Sequence, residues 1–256
     1  MRPQRRQRAR RPGFTLIELL LAMGLFTVSM AMVAALFPAA LYQAKVADEY
    51  TMATIIGENA IATIRARIPD NHLDLPTDAN FIPLPVSAAL SAAIHQQDML
   101  YPQDPNLRSQ NTTYGWVALV RLVSDNDYIF AVVPYAIPRL SVSRDYDLQG
   151  GNDLYPMPTR LDNVEVTVST DGDYVTAKID PNFIAKGSPV ILNDGRYTFI
   201  IDRTEGVTPP EAVLSDKLGV PNGGKEQRSF WVYGGGGDQL DSPAIGCFTF
   251  RTSLHP

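Results

Sequence analysis

The sequence has little of several things from which a functional assignment usually starts. It has one cysteine, Cys247, so no disulfide can form within the chain and no direct marker of an oxidising compartment is present. Its three histidines, His72, His95 and His255, do not stand in a metal-binding spacing, which argues against a zinc site. No G-x-S-x-G or S-x-x-K motif occurs, so no serine nucleophile is marked.

Basic charge is scarce outside the first eleven residues. Six arginines precede Gly13 with no acidic residue among them: Arg2, Arg5, Arg6, Arg8, Arg10 and Arg11. The rest of the chain has 16 basic against 27 acidic residues, a formal charge of −11. A body this acidic repels phosphates over most of its surface, which argues against a nucleic-acid partner except through a local basic patch.

Charge is nearly absent between Phe14 and Leu41, where Glu18 is the single ionisable side chain. As a helix these residues would extend about 42 Å, more than the roughly 30 Å of a bilayer's hydrocarbon core. The pattern predicts that residues 14–41 span a membrane. Because the arginines precede this segment, the positive-inside rule predicts a cytoplasmic N-terminus and places everything after Tyr42 outside.

Glu18 is out of place in such a segment, since a charged side chain at bilayer depth costs about 2.5–3.5 kcal/mol on insertion scales and needs a partner. The segment from Arg10 to Phe26 reads RRPGFTLIELLLAMGLF. Pro12 and Gly13 are poor helix formers, which would leave the bond after Gly13 extended and accessible to a peptidase. Cleavage there would liberate an amino group on Phe14, one helical turn from Glu18, and the two opposite charges would attract strongly in a low dielectric.

At these residues, above all GFTLIELLLAM, the sequence resembles the type IV pilin and type II secretion pseudopilin family. The resemblance covers about the first 55 residues and implies a bacterial surface or secretion filament. It implies a leader at residues 1–13, cleavage between Gly13 and Phe14 by a prepilin peptidase, and N-methylation of Phe14 by the same enzyme. It also implies that Glu18 pairs with the N-terminal amine of a neighbouring subunit during assembly from an inner-membrane platform.

Two alternatives at the N-terminus stay open. A conventional secretory signal also has a basic start and an apolar run, and the small residues around Ala39 and Ala40 would suit its peptidase. Glu18 lies near the start of the helix, so its carboxylate could instead snorkel to the cytoplasmic interface without any partner.

The apolar pattern predicts one helix over residues 14–68, ended by Pro69 and kinked or loosened at Pro38. Its second half carries an apolar stripe that should pack on a folded domain. The stripe consists of Tyr42, Val46, Tyr50, Ala53, Ile56, Ala60, Ile61, Ile64 and Ile68. Residues 69–110 are rich in proline and predict an irregular connection with a short helix at 87–97.

Residues 111–256 predict an antiparallel β domain. Pairs of β-rich apolar runs flank turn residues near 124–127, 170–172 and 193–195, which indicates three hairpins, and two later strands lie on either side of a Gly-rich loop at 234–238. We expect one sheet of six to eight strands with one face covered by the helix stripe. The fold class is therefore α+β and pilin-like: a long N-terminal spine helix packed on an antiparallel sheet.

Candidate binding residues in the β domain are few, and no cofactor is predicted. Two acidic clusters are weak calcium candidates without EF-hand spacing: Asp145, Asp147, Asp153, Asp171 and Asp173. Four aromatic side chains are candidate carbohydrate contacts, although their positions in predicted strands make most of them core residues: Trp116, Tyr135, Trp231 and Tyr233.

Three functions therefore compete. The first is a structural subunit, and a minor one given its size, of a type IV pilus or of a competence or type II secretion pseudopilus, without enzymatic activity. The second is a tethered enzyme, for which no catalytic motif is found. The third is a tethered adhesin or carbohydrate-binding protein. The motif at Gly13 and Glu18 favours the first.

Overall fold

The protein is represented by a computed structural model. It describes residues 15–68, 75, 80–84, 94, 96–101, 114–124, 127–136, 158–180, 183–204, 206, 208, 210–233 and 242–253. The chain divides into two compact units, Met1–Asp48 and Glu49–Pro256.

One α-helix, α1, runs over Leu16–Arg67 and confirms the predicted spine helix within two residues. It is rich in alanine, leucine and methionine, which lose little or no rotamer freedom in a helix. It continues through Pro38 without a break, and Ile68, whose N–H bonds the carbonyl of Ile64 at 3.0 Å, precedes Pro69. Arg65 and Arg67 lie in its last turn, where positive charge interacts favourably with the helix dipole.

The apolar stripe of α1 is buried over part of its predicted length. The side chains packed against the β domain are Ala53, Ile56, Ala60, Ile64 and Ile68. Tyr50 is 67% exposed and Tyr42 is 69% exposed, so the prediction that the stripe packs from Tyr42 onward is wrong. Periodicity identifies the apolar face of a helix, whereas the position at which packing begins depends on where the sheet lies.

Eleven strands are described: β1 (Ile82–Pro83), β2 (Leu100–Tyr101), β3 (Tyr114–Ser124), β4 (Asp127–Ala136), β5 (Pro158–Val168), β6 (Val175–Ala177), β7 (Pro189–Leu192), β8 (Tyr197–Arg203), β9 (Ala212–Leu214), β10 (Lys225–Tyr233) and β11 (Phe248–Ser253). A 3-10 helix at Gln96–Met99 precedes β2, and most of the short helix predicted at 87–97 lies outside the described residues. The three predicted hairpins are confirmed as β3–β4, β5–β6 and β7–β8.

The strands form two separate structures, where the sequence predicted one sheet. The central sheet has the order β1-β3-β4-β11, with β2 also paired to β3. The other six strands close into an antiparallel barrel in the order β10-β5-β6-β9-β8-β7, because β10 pairs with both β5 and β7. The prediction of a single sheet of six to eight strands is therefore wrong, although the α+β class and the antiparallel pairing are confirmed.

The central sheet is covered on both faces. Phe130 stacks on Phe250 at 5.1 Å between ring centroids, and the guanidinium of Arg65 on α1 lies over the Phe250 ring. Ile129 points to the opposite face, since neighbouring residues of a strand alternate, and it approaches Gly195 in the β7–β8 turn of the barrel. The unit Glu49–Pro256 thus contains the second half of α1, the central sheet and the barrel.

Candidate assembly site at the N-terminal helix

The predicted cleavage residues Gly13 and Phe14 lie outside the described residues, so the site is described from Thr15 onward. Glu18 is in the first turn of α1, directly after that point. Its side chain is exposed in the isolated chain.

Thr15 and Glu18 form a reciprocal capping box at the start of α1. The backbone N–H of Thr15 donates to Oε2 of Glu18 at 2.8 Å, and the Thr15 hydroxyl donates to the same oxygen at 2.9 Å. The N–H of Glu18 in turn approaches Oγ1 of Thr15 at 3.4 Å. This arrangement satisfies two of the N–H groups that a helix leaves unpaired at its N-terminus, where the helix dipole also favours a negative charge.

The capping box was missed in the sequence analysis, although its signal, a threonine followed three residues later by a glutamate, is present in TLIE. All the hydrogen bonds described at Glu18 use Oε2 or the main chain. The carboxylate therefore holds its own helix end with one oxygen, and Oε1 has no partner among the described residues. Glu18 has a local structural role that does not require a second chain.

The other polar side chains of the apolar half of α1 also bond within the helix. Thr27 Oγ1 donates to the carbonyls of Met23 and Gly24 at 2.9 Å, and Ser29 Oγ donates to the carbonyl of Leu25 at 2.8 Å. Satisfying hydroxyls internally suits a segment that contacts hydrocarbon, where no water is available.

By length and composition, α1 can cross a membrane. Its most apolar 18-residue window has a mean hydropathy of 2.3, and none of that window is buried in the chain. Large apolar side chains are exposed from Leu16 to Leu41 on all sides of the helix. This exposure is costly in water and favourable in lipid, which is consistent with membrane anchoring.

Of the five acidic calcium candidates, the structure describes Asp171 and Asp173. Asp145, Asp147 and Asp153 lie outside the described residues. Asp171 caps its own turn, accepting from the N–H of Asp173 at 3.3 Å, and its hydrogen bond with a serine side chain lowers the pKa of its carboxyl. No group of three His, Cys, Asp or Glu side chains within the described residues is arranged to hold a metal ion.

The Asp171 turn already has a cationic neighbour. The ammonium of Lys217 donates to Oδ1 of Asn222 at 2.9 Å, and Nδ2 of Asn222 approaches the carbonyl of Asp171 at 3.4 Å. A Cβ placed on Gly172 would lie 2.5 Å from Nζ of Lys217, so the ammonium packs directly on the turn. A positive side chain at this position opposes the binding of a second cation.

The four aromatic candidates for carbohydrate contact are core residues. Trp116, Tyr135 and Tyr233 are fully buried and Trp231 is 8% exposed, so none of these rings offers a face to a sugar. Nε1 of Trp116 donates to the carbonyl of Asp98 at 2.9 Å. These residues therefore form no carbohydrate surface, and their burial agrees with the expectation that strand positions place most of them in the core.

The single thiol is also a core group. Cys247 is buried, and removal from water raises the pKa of its thiol well above the usual range. Burial likewise raises the pKa of the neighbouring Tyr233 hydroxyl. A thiol in such surroundings stays protonated and has little nucleophilic character.

Comparison with known proteins finds a family match at the N-terminal end of the chain. The family model described as the prokaryotic N-terminal methylation motif matches residues 8–34, which contain Gly13, Phe14 and the capping box. No curated protein and no solved structure matches the chain. Proteins with this motif are typically structural, and the motif indicates processing by a prepilin peptidase and assembly with other pilin subunits. With the methylation motif at residues 8–34 and the apolar helix that follows it, the chain fits a type IV pilin or pseudopilin.

Proposed function

We propose that the protein is a structural subunit, and a minor one, of a type IV pilus or of a competence or type II secretion pseudopilus. The observation that carries the proposal is the methylation motif at residues 8–34. Glu18 lies in this motif and is the single ionisable residue between Phe14 and Leu41. In this proposal a prepilin peptidase cuts the chain after Gly13 and methylates Phe14.

Pairing between subunits follows from the charges at the helix start. Cleavage would create a cationic amine on Phe14, and in lipid an unpaired cation and an unpaired carboxylate are each costly. The capping box occupies Oε2 of Glu18, which leaves Oε1 to accept from the amine of a neighbouring subunit. A carboxylate held in one orientation by its own helix end loses less entropy on pairing than a free side chain does.

We also propose a location and partners for the protein. The six arginines before Gly13 support an N-terminus in the cytoplasm, so that the unit Glu49–Pro256 lies outside the inner membrane. Other pilin subunits, the peptidase and the inner-membrane assembly platform are the proposed partners. A minor role is supported by bulk, because a barrel of six strands is added to the helix and central sheet of this subunit.

Processing gives the first test. Mass spectrometry of the protein extracted from membranes should find a chain that begins at N-methylated Phe14. Gly13→Val should leave the precursor uncut, because a β-branched side chain would crowd a peptidase pocket that accepts glycine. An intact Met1, or a chain that starts after Ala39 or Ala40, would contradict the proposed processing.

A pair of substitutions at Glu18 separates the charge from the capping box. Glu18→Gln keeps a side-chain oxygen for the cap but loses the charge, whereas Glu18→Leu loses both. Both variants should insert and be processed normally, and both should fail to enter a filament. Removing one partner of a buried ion pair costs about 3–5 kcal/mol, enough to lower incorporation more than a hundredfold.

The readout is cross-linking or co-purification with other pilin subunits, alongside membrane fractionation. Ser29→Leu is the matched control: it makes the same helix more apolar, removes a hydroxyl that bonds only within the helix, and should assemble normally. Wild-type incorporation of Glu18→Gln would show that the cap is what matters and would refute charge pairing. Wild-type incorporation of Glu18→Leu would leave Glu18 without a role in assembly.

A further inference from the structure

Strand β11 has an open edge in the part of the chain that the structure describes. The barrel strands have no edge, because the barrel is closed. The outer side of β3 carries the two-residue strands β1 and β2. Among the described strands, β11 is therefore the only one longer than two residues that has a neighbour on one side alone, namely β4.

The hydrogen bonds at the end of β4 show which of its residues point toward β11. The N–H of Ala136 donates to the carbonyl of Pro243 at 2.9 Å, and the N–H of Ile245 donates to the carbonyl of Pro134 at 2.9 Å. The N–H and C=O groups of successive strand residues alternate in direction. The even-numbered residues of β4 therefore point their main-chain groups toward β11.

These even-numbered residues are the register partners of Phe248 and Phe250. Phe248 and Phe250 thus make the main-chain bonds to β4, and the residues between and after them face the other way. The N–H and C=O groups of Thr249 and Arg251 accordingly point to the open edge. Thr249 and Arg251 together offer two N–H donors and two C=O acceptors, with the two-residue spacing at which a neighbouring β-strand forms main-chain hydrogen bonds.

The β11 edge has none of the features that usually prevent an exposed strand from pairing with another chain. The register of β11 with β4 is continuous from Phe248 to Ser253, so there is no bulge, and the strand contains no proline. Its one charged side chain, Arg251, is tied to the carboxylate of Asp127 on β4, and this contact lowers the pKa of Asp127. Natural proteins protect exposed edges with bulges, prolines or free charges, and an edge without them is a template for another strand.

The side chains along the edge define what would fit there. Phe248 and Phe250 are half-buried on the helix side, and Arg65 lies 5.5 Å above the Phe250 ring without a carboxylate partner in the described part of the chain. We propose that β11 binds an extended segment of a neighbouring subunit by strand addition. The segment has apolar side chains at alternate positions, facing Phe248 and Phe250, and a carboxylate that pairs with Arg65.

The occupant is not a second β11 related by a two-fold axis. Ala53 of α1 approaches Gly246, and Gly57, one turn later, approaches Phe248, so α1 and β11 run in the same direction. Two-fold pairing of β11 would place the two helices antiparallel. Under the proposed function, on which this step rests, subunits anchored in one membrane have parallel helices. The strand that pairs with β11 must therefore be a different segment of the neighbouring subunit.

The test uses the full-length protein in its native membranes. A photo-reactive benzophenone amino acid replaces Ser253 on the edge or, as a control, Thr159, which is exposed on the closed barrel. After irradiation, we expect position 253 to cross-link to a peptide of another subunit that carries an N-terminal methylation motif. The yield should exceed that from position 159 at least tenfold.

Thr249→Pro then tests the main-chain pairing. It removes an N–H that points to the open edge and leaves the bonds to β4 in place, so cross-linking from position 253 should fall at least tenfold. Thr249→Val, which retains the N–H, should cross-link as the unsubstituted chain does. Equal cross-linking with proline would overturn strand addition.

The outcomes separate this inference from the proposed function. A chain that co-purifies with other pilin subunits but does not cross-link to them from position 253 would overturn the edge proposal alone. A chain that enters no assembly, with or without a substitution at Thr249, would overturn both proposals.

Discussion

At the scale of single residues, Leu218 shows backbone strain retained for the sake of packing. Its φ is +56°, in the left-handed region that leucine rarely adopts, and Gly219 follows at φ +80°. The N–H of Val220 donates to the carbonyl of Lys217 at 3.0 Å, which closes a tight turn. The Leu218 side chain is 1% exposed and packs in the barrel core, so burial offsets a conformational cost of about 1–2 kcal/mol.

Because of this strain, we expect a glycine variant at position 218 to be more stable than an alanine variant, the reverse of the usual order. Leu218→Ala keeps the left-handed strain and leaves a cavity, which should cost about 2–5 kcal/mol. Leu218→Gly leaves a similar cavity but relieves the strain, so it should be more stable than the alanine variant by about 1 kcal/mol. Chemical denaturation of the two variants measures the difference, and an alanine variant that is the more stable of the two would contradict the assignment of strain.

Glu18 shows how far sequence analysis reaches at a single residue. The rarity of a carboxylate in an apolar run was enough to select it, because its cost in lipid demands a reason. The capping box with Thr15 supplies one reason that lies within the chain. The spacing of threonine and glutamate in TLIE is enough to predict that contact, although it was missed, whereas a contact with another chain cannot be predicted from one sequence.

At the scale of elements, α1 and β11 meet at a glycine. A Cβ on Gly57 would lie 2.7 Å from a carbon of the Phe248 ring, closer than real Cβ contacts come. Gly57 is buried within the helix, where glycine is otherwise unfavourable by about 1 kcal/mol relative to alanine. The close approach of helix and edge strand therefore explains a residue that helix propensity disfavours.

Gly57→Ala should accordingly destabilise the protein by about 1–3 kcal/mol, because overpacking outweighs the gain in helix propensity. Phe248→Leu removes the clashing ring, so the double variant should recover part of that loss relative to the sum of the two single changes. A double-mutant cycle by chemical denaturation gives the coupling. Strict additivity would mean that Gly57 and Phe248 do not meet.

Strand positions were largely predictable, but their packing was not. The turn residues between β3 and β4, β5 and β6, and β7 and β8 marked the hairpins correctly. In β3, residues 115–120 are all buried, and the apolar run in the sequence does not alternate with polar residues. Such a run is typical of a strand covered on both faces, whereas the predicted sheet is covered on one face only.

At the scale of the whole molecule, closure of the barrel could not be predicted from the sequence. Hairpins are local, whereas closure requires β10 to pair with β5 and with β7, across many residues. Period-two patterning gives the inward face of each strand but not its neighbour in the sheet. The separate core of the barrel, including Phe230 and Val232, appears only once these long-range pairs are known.

The division into two units leads to the last prediction. The unit Glu49–Pro256 contains both apolar cores, and the exposed apolar side chains from Leu16 to Leu41 lie outside it. A fragment of residues 44–256 should therefore fold as a monomer with mostly β circular dichroism, because it keeps the buried part of the stripe and loses the membrane segment. A spectrum dominated by helix would contradict this expectation.

Two neighbouring isoleucines then test whether the helix packs in the fragment as it does in the whole chain. Ile56 is fully buried, and Ile56→Ala should lower the free energy of unfolding by about 2–5 kcal/mol. Ile55, one residue away, is 41% exposed, and Ile55→Ala should change that free energy by less than about 1 kcal/mol. Helix propensity favours alanine at both positions, so the contrast comes from packing on the central sheet alone. Equal effects at the two positions would mean that residues 49–67 are detached from the sheet once the membrane segment is removed.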